Sequence, residues 1–166
     1  DSSGNVFFIA QDGATGTIKR YSGDLLTHDA SFVITDEDFT NNGFTAMNLQ
    51  SIQVDNQDRV YVCIDVDGEP PEDPEGDGTE HGYDAVLRFD NGLTAITGEW
   101  GGISGVSTWR FNGPSDIAFD QNNNMYVVSR WHNGVSVYNV NDDKRLPRGY
   151  ILSPDENSDD PGKLGN

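Results

Sequence analysis

Three stretches of this chain repeat one short pattern, and an internal repeat constrains a fold more than any single motif does. Asp1-Ser-Ser-Gly-Asn-Val-Phe-Phe-Ile aligns without a gap on Asp55-Asn-Gln-Asp-Arg-Val-Tyr-Val-Cys and on Asp120-Gln-Asn-Asn-Asn-Met-Tyr-Val-Val. In each copy an Asp opens a polar turn, and an aromatic follows six residues later, at Phe7, Tyr61 and Tyr126. An Asp at that point can accept N–H bonds from its own turn, which explains its recurrence without any catalytic role. A second match lies downstream in Ile18-Lys-Arg-Tyr21, Val86-Leu-Arg-Phe89 and Val135-Ser-Val-Tyr138. A third precedes the Asp in two copies, as Leu49-Gln-Ser-Ile-Gln-Val-Asp55 and Pro114-Ser-Asp-Ile-Ala-Phe-Asp120.

From 1 to 55 the spacing is 54 residues, and from 55 to 120 it is 65. Short β-rich runs bounded by Gly, Pro, Asn and Asp read as strands joined by tight turns. About four strands per period of this size is the sequence signature of propeller blades. The spacing predicts repeats over about 1–48, 49–112 and 113–166 of one domain, with fourth strands at Ser31–Thr35, Thr94–Trp100 and Gly149–Leu152. The longer second period holds one insertion, Asp65–Asp84, where the third copy manages with Ser129–Gly134. No window has helical apolar spacing beyond two turns, and Asp36–Asn42 offers at most one helical turn. The expected class is all-β: four-stranded antiparallel blades in an incomplete ring.

Composition narrows the function classes. The formal charge is −18, from 28 Asp and Glu against 10 Lys and Arg, with Lys only at Lys19, Lys144 and Lys163. Such a surface repels phosphate backbones, so nucleic acid is not an expected partner; a divalent cation or a basic protein is compatible. No apolar run is long enough for a membrane helix, and no signal peptide stands at Asp1. The opening on Asp-Ser-Ser-Gly reads as a processed or internal segment. Cys63 is alone within Val60–Ile64, where a buried apolar side chain is expected in preference to a reactive thiol.

The repeat resembles a known family. Gly113-Pro-Ser-Asp-Ile-Ala-Phe-Asp-Gln-Asn-Asn-Asn-Met-Tyr-Val-Val through Val135-Ser-Val-Tyr138 is similar to an NHL repeat. Residues 113–138 match its pattern closely, 49–89 match with the insertion, and 1–21 match without the first strand. The resemblance implies a propeller with four-stranded blades around a channel. Such rings usually hold about six blades, so three imply either the remaining blades of a longer chain or a homo-oligomer that closes the ring. Leu164-Gly165-Asn166 resembles the lead into a further first strand. The resemblance identifies a fold module rather than an activity.

Few stretches carry candidate chemistry. The insertion alternates carboxylates with Gly and Pro, and hard cations take oxygen ligands from such loops; calcium is the metal reading, at Asp65, Asp67, Glu69, Asp73 and Asp77. Asp65-Val-Asp67-Gly68 matches half of a calcium loop, and Glu69 breaks the rest. A solvated acidic loop or a docking site for a basic partner explains the same residues. Arg130, Trp131 and His132 occupy a turn that could stack on a sugar or a peptide, which is compatible with a protein or carbohydrate partner; Trp131 covering the neighbouring blade and a merely solvated His132 explain the same residues. His28 and His81 stand isolated, and the 155–160 acidic cluster reads as a linker. Asn139–Asp143 reads as a hairpin turn, Trp100 and Trp109 as packing, and Gly101–Ser107 as a connection.

Three function classes follow: a secreted or surface-exposed binding module, a structural subunit assembling through blade edges, and part of a metal-dependent propeller enzyme. The resemblance supplies the last, through lactonase-like and amidating-lyase-like propellers, but no ligand set transfers residue by residue. The binding module requires only repeats and variable turns, and it is the expectation.

Overall fold

The computed structural model describes residues 1–12, 15–24, 27–35, 46–67, 83–103, 111, 113–130, 134–141 and 144–152. These form three antiparallel sheets and no helix. The first contains β1 (Val6–Asp12), β2 (Thr15–Tyr21) and β3 (His28–Ile34) in that order. The second runs β4 (Ala46–Val54), β5 (Val60–Asp67), β6 (Tyr83–Phe89) and β7 (Ile96–Ile103). The third runs β8 (Pro114–Phe119), β9 (Asn124–Ser129), β10 (Gly134–Asn139) and β11 (Lys144–Leu152). Each sheet is a simple meander like a propeller blade, and none closes into a barrel. All three expected fourth strands are present, as β3, β7 and β11.

The sheets stack face to face, and strand alternation assigns each side chain to a seam. On β5, Val60, Val62 and Ile64 face the first sheet, together with Ile18, Ile34 and Phe89. Tyr61 and Cys63 face the third, together with Trp100, Phe111 and Met125. The unbroken apolar run Val60–Ile64 follows from this: the middle sheet is covered on both faces, so no position needs to be polar. All five side chains are fully buried, each worth about 1.5–3 kcal/mol for the larger apolar ones. β1, covered on one face only, shows the alternation that β5 lacks.

An arginine joins neighbouring sheets at the same repeat position twice. Arg20 donates to the Asn91 carbonyl at 2.7 Å, and Arg88 donates to the Val140 carbonyl at 3.2 Å. Asn91 and Val140 each lie two residues beyond the aromatic that ends their strand's repeat, Phe89 and Tyr138. The third copy has Val137 in place of the arginine. Arg88 also bonds the Thr97 carbonyl at 2.6 Å and lies 5.3 Å from the centroid of Trp100. Arg88→Ala removes all three contacts, and a loss of about 1–3 kcal/mol in urea unfolding is expected.

Several expectations are corrected. Gly101–Ser107 is not a connection throughout: β7 continues to Ile103, because Gly101 at φ 101° carries the strand past the Phe111 ring. The insertion is shorter than Asp65–Asp84, since the β5–β6 ladder pairs Asp65 with Asp84 and Val66 with Tyr83. His28 is not isolated: its ring meets Tyr21 at 5.3 Å between centroids. Asp36–Asn42, His81, Trp109 and the 155–160 cluster lie outside the described residues.

Candidate functional site

The two ends of the second seam differ in chemistry. At one end lie the repeated turns, whose acids are consumed by structure. Asp55 is 5% exposed and accepts the N–H groups of Gln57 and Arg59 at 2.9 and 3.0 Å. Its other oxygen takes the Arg59 Nε at 2.7 Å, the Tyr61 hydroxyl at 3.0 Å and the Asn123 amide of the third sheet at 3.0 Å. Asp120 makes the same turn with Asn122 and Asn124, at 2.9 and 2.8 Å, and Asp1 makes it with Ser3 and Asn5, at 3.0 and 2.7 Å. The recurrent Asp is therefore a turn lock, as its spacing implies. These acids hold the turns.

Their protonation sets a pH dependence. Burial alone would push the Asp55 carboxyl up, but the Arg59 N–H, its guanidinium, Gln57 and Asn123 outweigh it and hold it below the ordinary 3.8. The Asn124 N–H, opposed by slight desolvation, holds Asp120 low. A carboxyl held low when folded binds protons more readily once unfolded. Its stabilisation is complete above the ordinary value and is lost as pH falls through the folded one. Glu99 has the opposite sign, since burial raises it above 4.5, so its cost is relieved on acidification. The melting temperature is expected to hold or rise slightly towards about pH 4.5 and to fall steeply below about 3.8; calorimetry across the acid range measures it.

At the other end, β5 and β6 lead into the insertion. Asp65 and Asp84 sit directly opposite each other, so they share a face, and by alternation from Tyr61 and Cys63 that face meets the third sheet. Arg130 pairs with Asp65 at 3.1 Å, while half of its own side chain is open to solvent. Asp84, 3% exposed, accepts the Gly113 N–H at 3.0 Å, and the Gly113 carbonyl accepts the Arg130 N–H at 2.9 Å. Gly113 has φ 64°, which turns both of its polar groups to these partners. Ser51 adds a bond to Asp116 at 2.8 Å between β4 and β8. The base of the insertion is thus bolted to the residue that opens the Trp131–His132 turn.

Of the residues expected to bind, Arg130 and Asp65 are brought together across two sheets. Asp67 ends β5, and nothing is described of its side chain; Glu69, Asp73, Asp77, Trp131 and His132 lie outside the described residues. Asp65 lies on β5 and pairs with Arg130. Among the described residues, no group of three or more His, Cys, Asp or Glu is placed to hold a metal ion. Sequence reasoning missed Asp84, Gly113 and Ser51. The only available signals were the Asp that closes the insertion and the Gly113-Pro114 that opens the third copy. Cys63 is fully buried and its thiol is pushed up by burial, in keeping with the apolar role expected of it.

No family model matches this chain, and a search of curated proteins found no match either.

Proposed function

We propose that the chain is a propeller-type binding module that takes a basic protein surface at the insertion end of its second seam. The observation that carries this reading is the Arg130–Asp65 ion pair, which ties the acidic insertion to the Trp131–His132 turn at one end of two stacked sheets. Rigid sheets holding variable turns are a common platform for recognition. The charge of −18 supplies long-range attraction for a cationic partner. The repeat spacing supports an NHL-like blade, and the acidity and scarcity of Lys support a secreted or surface-exposed setting.

The test is titration of Lys- and Arg-rich peptides into the chain at physiological salt, with uncharged peptides and a glycan panel alongside. Basic peptides are expected to bind, and to lose at least tenfold in affinity when 68–82 is shortened to the length of the third-sheet turn. Equal affinity with and without the insertion overturns the reading, and a glycan signal that survives uncharged replacement of the insertion moves it to carbohydrate. The same titration repeated with calcium and then chelator tests a metal at Asp65, Asp67, Glu69, Asp73 and Asp77.

One observation favours a structural subunit instead. Among the described residues the large exposed hydrophobics are Phe8, Val33 and Val128, at 47, 51 and 40% exposure. All three lie on the outermost faces of the first and third sheets, the faces whose counterparts on the middle sheet are buried. Concentration-dependent assembly in native mass spectrometry, lost on Val128→Lys, is the result expected of that reading.

A further inference from the structure

Asn91 adds something to the first seam that its counterpart in the second seam does without. Val140 holds the same repeat position, and there the carbonyl alone takes the arginine of the preceding sheet, Arg88 at 3.2 Å. Arg20 makes that bond to the Asn91 carbonyl at 2.7 Å and a second to the side-chain oxygen at 3.0 Å. The Asn91 amide nitrogen then donates to the Asp1 carboxylate at 2.9 Å and to the Asp58 carbonyl at 3.0 Å. One side chain thereby ties two turns and an arginine together, with both of its donors and its oxygen committed. Gly92 follows it, and asparagine before glycine is the pair most open to succinimide formation, since no Cβ hinders the attacking nitrogen. Here the Gly92 N–H donates to the Asp90 carboxylate at 3.1 Å. Burial alone would raise that carboxyl, but the Ala95 and Thr94 N–H groups, the Thr94 hydroxyl and the Gly92 N–H hold it below the ordinary 3.8. At neutral pH it is therefore an anion, which opposes loss of the Gly92 proton.

We infer that Asn91-Gly92 is a latent deamidation site, whose conversion the closed first seam prevents and whose product keeps the seam from closing again. The reaction needs water and no other reagent. The Gly92 nitrogen gives up its proton and bonds to the Asn91 side-chain carbonyl carbon, and the Asn91 nitrogen leaves as ammonia. Water then opens the succinimide at either carbonyl, which leaves aspartate or isoaspartate at position 91. In the closed seam the first step does not start, because the side chain is held by Arg20, Asp1 and Asp58 and cannot swing to the Gly92 nitrogen. Once formed, the acid sets a negative charge where two N–H groups had met the Asp1 carboxylate and the Asp58 carbonyl, so both contacts turn repulsive. Isoaspartate also adds a methylene to the main chain between β6 and β7. An opening of the seam is thereby recorded covalently. The other Asn-Gly pairs, at Asn42, Asn112 and Asn133, lie outside the described residues. The site belongs to the first seam and does not depend on the binding-module reading.

Peptide mapping tests it, with aspartate and isoaspartate at position 91 resolved from asparagine. The unaltered chain is incubated at mildly alkaline pH, folded and in urea. Conversion of Asn91 is expected to be about tenfold slower or more in the folded chain, because it waits on local opening. Arg20→Ala removes two of the four bonds, and while circular dichroism shows it folded it is expected to convert Asn91 about tenfold faster than the unaltered chain. Asn91→Asp reproduces one product. The Asp58 and Leu93 amides, which close the turns on either side of the contact, are expected to exchange hydrogen about tenfold faster in it, with the Gly113 amide of the second seam unchanged. Equal Asn91 rates in the folded and unfolded chain overturn the inference, and that comparison needs no variant to fold. A folded Arg20→Ala chain with an unchanged Asn91 rate also overturns it. So does an Asn91→Asp chain whose Asp58 and Leu93 amides exchange as slowly as before, since the product would then leave the seam closed.

Discussion

Asp55→Ala is expected to lower the unfolding free energy by about 3–5 kcal/mol, the loss typical of removing one partner from a buried ion pair. The carboxylate has no exposed surface of its own, and its Arg59 partner, 2.6 Å away, is itself only 22% exposed. Alanine strands that guanidinium beside the Tyr61 hydroxyl and the Asn123 amide, so the turn and the second seam fail together. Asp55→Asn recovers little, because its amide would point donors at Arg59 and Asn123. Asp120→Ala breaks the same turn where no neighbouring sheet contributes a donor among the described residues, so a much smaller loss is expected. Urea midpoints for the three variants measure the contrast. Equal losses for Asp55 and Asp120 would show that the turn alone matters and the seam does not.

Gly101→Ala is expected to cost about 2–5 kcal/mol, from a backbone forced to a left-handed angle and from overpacking. A Cβ there would stand 2.2 Å from the Asp84 carbonyl and 2.6 Å from the Phe111 ring. The carbonyl belongs to the β6–β7 ladder and cannot retreat without breaking it. Gly98, on the same strand, provides the control, since its added Cβ would meet only the Arg88 guanidinium at 3.0 Å. Gly98→Ala should therefore cost no more than Arg88→Ala. Near-ultraviolet circular dichroism of Gly101→Ala should also lose signal, because Trp100 and Phe111 share the displaced seam.

Much of the architecture is legible in the residues. The Asp that precedes an aromatic by six positions specifies a turn through its own side chain, and that chemistry is local. Val60–Ile64 announces a strand buried on both faces, and Val135, Val137 and Tyr138 announce one that follows a turn. The site was only half legible. Arg130 stood out by its neighbours and Asp65 by its place in the acidic run, but their pairing joins residues 65 positions apart. No spacing rule carries a bond between two sheets. Gly101–Ile103 was misread for a related reason: glycine signals a loop locally, whereas here it lets a strand pass the Phe111 ring, which precedes β8. Arg20 and Arg88 stood in aligned copies, but their partners lie beyond the copy that contains them.

Sequence by itself determined what depends on near neighbours: the all-β class, the repeated turns, the meander of strands and the acidity of the chain. Hydrogen bonds from an Asp to its own turn and the two-residue alternation of a strand act within a few positions, so they are written in order along the chain. Tertiary structure alone decided which face of each strand meets which sheet and which acids are locked. It also decided that the insertion's base is bolted to Gly113 and Arg130. Those outcomes depend on distances between sheets, set when apolar faces close on one another, and no linear pattern encodes them.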